Sequence, residues 1–110
     1  MLELTIFVYQ EYAYYGNGWV KSSIMVRAYS DPVMCENCHS IDEAVNAIRV
    51  FAREMSDQYD LVRVVMGPPD NASFILKASL QQGSKEVLKT MPLEKADAHE
   101  FESKIGSWPL

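Results

Sequence analysis

Residues 2 to 29 alternate apolar and polar side chains on both sides of a glycine-rich turn, and a chain patterned this way is committed to opening with a long β-hairpin. Leu4, Ile6 and Val8 alternate with Glu3, Thr5, Phe7 and Tyr9. Beyond the turn, Val20, Ser22, Ile24, Val26 and Ala28 alternate with Lys21, Ser23, Met25 and Arg27. Between the two runs lies YYGNGWV. A two-residue turn at Asn17-Gly18 would set Val8 opposite Arg27 and mix the two faces. A three-residue Gly16-Asn17-Gly18 loop sets Val8 opposite Val26 and Ile6 opposite Ala28, which leaves one clean apolar face. We therefore take the second register, with Gly18 left-handed as the bulge residue such a loop needs. It places Tyr15 opposite Trp19.

The outer half of this hairpin carries Tyr9, Tyr12, Tyr14, Tyr15 and Trp19. Cross-strand aromatic pairs stabilise a sheet by roughly 0.2 to 1 kcal/mol each, which accounts for some of them. Five are more than a solvated hairpin tip requires. Tyr and Trp also concentrate at the energetic centres of protein interfaces, so Tyr12, Tyr14, Tyr15 and Trp19 are the candidate partner-binding residues.

The next element is a helix that begins at Ser40. Ser40 with Glu43 three residues on makes a capping box, and Asp42 adds negative charge where the helix dipole favours it. Ile41, Ala44, Val45, Ile48, Phe51, Ala52 and Met55 then recur at helical spacing up to an end near Gln58. A strand follows at Leu61 to Met66, then turn chemistry from Gly67 to Asn71, and a further strand from Ser73 to Leu80. Gln82-Gly83-Ser84 predicts another turn. Residues 85 to 91 read as a last strand, and a helix over Leu93 to Ile105 turns Ala98, Phe101 and Ile105 inward until Gly106 stops it.

The predicted order is β-β-α-β-β-β-α in one domain spanning residues 1 to 110. Hairpin-rich connections imply a two-layer α+β sandwich, a mainly antiparallel five-stranded sheet with two helices on one face. The other face then bears Phe7, Tyr9, Met25 and Tyr29, an apolar surface that a symmetric homodimer would cover.

MCENCHS, from Met34 to Ser40, is the one stretch that resembles chemistry. As a haem-attachment string it would need His39 on the iron, yet His39 stands at a helix start already capped by Ser40. As a zinc site it needs four ligands, and the chain holds only two cysteines and two histidines, leaving Cys35, Cys38 and His99 as candidates alongside His39, a carboxylate or water. As a redox pair, Cys38 has the dipole of the following helix to lower its pKa, but lacks the parallel β-α-β setting of thioredoxin-like sites. The remaining reading is a loop whose Met34 and cysteines cover the sheet edge.

No glycine-rich phosphate loop, Gly-x-Ser-x-Gly or His-Glu-x-x-His occurs. The paired acids are explained by helix capping and a solvated helix face, so the expectation is a protein that is not an enzyme and needs no cofactor. A net charge of −5, spread along the chain, opposes direct binding to nucleic acid and suits a basic protein surface. No run approaches the roughly 18 apolar residues that cross a membrane. The first apolar segment, LTIFVY, follows Glu3 without a basic leader, which predicts a cytoplasmic protein with reduced thiols. Together these point to a small cytoplasmic protein-binding module, an inhibitor, adaptor or accessory subunit, with a compositional analogy to the compact acidic modules of mobile genetic elements. The alternative is a zinc- or thiol-dependent protein centred on Cys35 and Cys38.

Overall fold

The computed structural model describes residues 2–69, 74–78 and 85–106. Its elements are β1 (Glu3–Tyr14), β2 (Trp19–Ala28), β3 (Met34–Cys38), α1 (Ile41–Glu54), β4 (Leu61–Met66), β5 (Phe74–Ala78), β6 (Lys85–Met91) and α2 (Lys95–Ile105). The α+β class, the mainly antiparallel sheet and the two helices on one face follow the sequence pattern. To the five strands expected, the structure adds β3, formed by the segment read as a loop. The turn placed at Gln82-Gly83-Ser84 lies outside the described residues, as do Ser73, Ser79 and Leu80.

The sheet runs β3-β2-β1-β6-β5. The far side of β1 is divided. Its first six residues pair in parallel with β4, from Glu3 opposite Leu61 to Val8 opposite Met66, and Gln10 to Ala13 pair antiparallel with β6.

The inner half of the hairpin has the expected register, Ile6 opposite Ala28 and Val8 opposite Val26. Between Glu11 and Tyr12 the register slips by one residue: Glu11 faces Ser23 but Tyr12 faces Lys21, so Ser22 is bulged out. Tyr14, not Tyr15, therefore stands opposite Trp19. The buried Gln10 amide holds this irregularity, donating to the Glu11 carbonyl at 3.1 Å and the Ser23 carbonyl at 3.0 Å. At the tip, the Tyr15 N–H donates to the Gly18 carbonyl at 3.2 Å, and both Gly16 (φ 76°) and Gly18 (φ 147°) take backbone angles that favour glycine.

Both helices pack on the face made by Leu4, Ile6 and Val8 of β1 and Ile24, Val26 and Ala28 of β2. Ser40 Oγ accepts from the Glu43 N–H at 3.1 Å, as the capping box predicts. Glu43 reaches one residue further back than that motif requires, accepting from the His39 N–H at 2.7 Å. Arg49 of α1 ties the two helices together by donating from Nη2 to the Lys104 and Ile105 carbonyls at 2.8 and 3.2 Å, which satisfies orphan acceptors at the end of α2. Lys104 adds an ion pair with Asp42 at 2.7 Å. Phe101 and Ile105 complete the core from α2.

Candidate functional site

The one-residue slip at Ser22 decides what the outer half of the hairpin presents. Because strand side chains alternate, skipping one residue moves Lys21 and Trp19 to the helix face, beside Tyr12 and Tyr14. The inner part of this group belongs to the scaffold. The Tyr12 hydroxyl donates to Glu94 at 3.4 Å, and Lys21 bridges Glu94 at 2.9 Å and Asp97 at 3.3 Å at the start of α2. Burial, with the Glu94 charge second, raises the Tyr12 pKa above the ordinary phenol value. The hydrogen bond that Lys21 donates to Glu94 raises its own pKa. Tyr12 is thus partly used up in anchoring the hairpin to α2.

Further out, the side chains turn to solvent. Tyr14 is 48% exposed, Tyr15 69%, Trp19 37% and Val20 52%. Tyr14 and Trp19 form a tilted ring pair with centroids 5.4 Å apart, and the Lys89 ammonium lies 5.6 Å from the centre of the Trp19 ring. That pair and its cation are explained by the stability of the sheet itself. Tyr15 is not, since its ring meets no other aromatic ring among the described residues.

On the opposite face of the sheet, the apolar surface assigned to self-association is smaller than the alternation implies. Tyr9 is 2% and Met25 7% exposed within the single chain, and Phe7 is half-buried. Only Tyr29 of the four is well exposed, and it already packs edge-on to Phe7 at 6.2 Å and beneath the Arg27 guanidinium at 5.1 Å.

The Cys-x-x-Cys string is spread along β3. Cys35 stands opposite Arg27 and is exposed; Cys38 stands opposite Ile24 and is buried in the core. Residues three apart on a strand point to opposite faces, with Cα atoms about 10 Å apart. A disulfide requires less than about 7 Å, so these two thiols do not meet each other. The same separation keeps them from sharing one metal ion. His99 lies exposed on α2, and no cluster of three or more Cys, His, Asp or Glu able to hold a metal forms among the described residues. The thiol of Cys38 is pushed up, mainly by burial and then by the charges of Glu36 and Glu43, the reverse of what redox activation needs.

One feature gave little sign in the sequence. Between β3 and α1 runs a groove of about 360 Å³, lined by Met34, Glu36, Cys38, Glu43, Ala47, Val50, Phe51 and Glu54 together with Asn37 and Asn46. Val50 was the available signal, an apolar residue on the polar side of α1, and it is 42% exposed. No helix among the described residues is long and apolar enough to cross a membrane. No family model matches the chain, and no curated protein or solved structure matches it either.

Proposed function

We propose that the protein is a non-enzymatic binding module that docks on another protein through the tip of the β1–β2 hairpin, as an inhibitor, adaptor or accessory subunit. The observation that carries this reading is the exposure of Tyr14, Tyr15, Trp19 and Val20 at the hairpin tip, beyond the helix-covered core. Aromatic side chains bring large contact area at low entropy cost, and truncating such an anchor at an interface centre typically costs 2 kcal/mol or more. The hairpin is rooted by Gln10 and by the Tyr12 and Lys21 contacts to α2, so the tip is presented on a fixed base. The surplus of acidic residues favours a partner with a basic surface.

Replacing Tyr14, Tyr15 and Trp19 together with Ala should abolish capture of the partner in an affinity pull-down from the native cell, with the thermal midpoint lowered only slightly. Capture that survives the triple change would show that the tip is not the docking element.

A further inference from the structure

We propose that β3 and the groove beside α1 take an extended peptide, added to the sheet as a further strand, whose inward side chains run apolar, basic, apolar. This surface is separate from the hairpin tip, and stands whether or not the tip does its own docking.

β3 ends the sheet. It pairs with β2 on one side, and among the described residues no strand lies beyond it in the sheet order. The free side of such a strand offers a row of backbone donors and acceptors, the template on which extended peptides are recognised. Met34, Glu36 and Cys38 stand opposite Ala28, Val26 and Ile24, so all three project to the helix side. An added strand would set its own side chains opposite these three on the same face, two residues apart, over the floor of the groove.

The far wall matches in length and in chemistry. Glu43, Ala47, Val50 and Glu54 recur at intervals of four, three and four residues, which is a single stripe along α1. The twelve helical residues from Glu43 to Glu54 rise about 18 Å, close to the reach of about 17 Å of a five-residue strand. Apolar Ala47 and Val50 form the middle of the wall, and a glutamate stands at each end. Glu36 faces them from β3. Among the described residues, three carboxylates and no lysine or arginine line the groove, whereas exposed edges are commonly guarded by lysine. The upward push of Glu36 and Glu43 on the Cys38 thiol reports the same negative field from within.

The occupant that fits has an apolar side chain opposite Met34, a lysine or arginine opposite Glu36 and an apolar side chain opposite Cys38. Backbone pairing supplies attachment, and the central cation supplies selection.

The test is fluorescence anisotropy of the full chain with a labelled peptide, Ser-Thr-Val-Thr-Lys-Thr-Val-Thr-Ser. Changing the peptide's Lys to Glu should weaken binding by about tenfold, and Glu36→Lys in the protein should do the same. Pairing Glu36→Lys with the Glu peptide should recover most of the loss. N-methylation of one alternate set of peptide amides should abolish binding, while methylation of the other set leaves it. Glu36 is exposed, so its variant should melt with the parent, and Val50→Glu provides a second change in the same groove. The Tyr14, Tyr15 and Trp19 triple variant should bind the peptide as the parent does, which separates failure here from failure at the hairpin tip. No binding of the Lys peptide, equal binding of the Lys and Glu peptides, or indifference to both methylation patterns would overturn the proposal.

Discussion

The same two strands, β1 and β2, behave as two materials on either side of Ser22. Below the bulge, Ile6, Val8 and Val26 are fully enclosed by the helices and by β4. Above it, Tyr14, Tyr15, Trp19 and Val20 meet water. Both halves are paired, one on each side of the bulge, so pairing does not make the difference. Coverage does: α2 starts at the level of Tyr12 and Lys21, and the helix layer reaches no further along the hairpin. A strand pair can therefore serve as core at one end and as display surface at the other, provided something fixes the change of register between them.

The sharpest way to break this comparison is to truncate one residue in each half. Ile6→Ala should cost about 2 to 5 kcal/mol in urea unfolding, because it removes buried methyl groups and leaves a cavity. Val20→Ala should stay within about 0.5 kcal/mol. Similar losses at the two positions would erase the distinction. Next in size, Gln10→Ala should cost about 1 to 3 kcal/mol, since the Glu11 and Ser23 carbonyls lose their donor beside the bulge. Amide exchange in that variant should rise first from Tyr12 to Lys21, leaving the inner half protected. Ser40→Ala, which removes the cap of the helix that covers the inner half, should cost about 1 kcal/mol by thermal denaturation.

A pH titration sharpens the contrast further. Burial raises the thiol of Cys38 above its ordinary 9.0, and burial raises the phenol of Tyr9 above 10.0 against the opposing hydrogen bond from Arg27. Both groups favour the protonated, neutral form in the folded state. Their contribution to stability is present below the unfolded values and is lost as pH rises through the folded ones. Stability measured by denaturant should thus fall above about pH 9, and Cys38→Ala should flatten the first part of that fall. A small effect is also expected from the tip's aromatic pair: Trp19→Ala should cost only about 0.2 to 1 kcal/mol of stability, the scale of one cross-strand pair, while removing an anchor from the docking surface.

The inner register was legible because only one pairing puts Ile6, Val8, Val26 and Ala28 on a single face. The bulge was not, because it falls at Ser22-Ser23, where both neighbours are polar and a slip leaves no mark on the hydrophobic pattern. That silent slip is why the apolar pattern alone puts Tyr15 opposite Trp19 and the structure has Tyr14 there. α1 and its cap at Ser40 followed from periodicity and from a side chain with a definite partner. β3 was hidden for a different reason. Glu36 and Asn37 have poor strand propensity, and the segment is extended because the edge of β2 offers it hydrogen-bond partners, a tertiary cause that local sequence does not carry. The Cys-x-x-Cys spacing implies convergence only where the chain turns, and here it is extended.

The division of β1 between β4 and β6 also sets an order of events on the ribosome. By the time residue 66 has emerged, the lower part of β1 can be flanked on both sides, by β2 and by the parallel β4. Gln10 to Ala13 must wait for residues 88 to 91. During that interval of synthesis the nascent chain carries an unfilled hydrogen-bonding edge directly beneath its most aromatic segment, and pairing between neighbouring nascent chains competes with completion of the fold. Yield of soluble protein should therefore depend on how quickly β6 arrives, and slower translation of the last third of the chain should lower it.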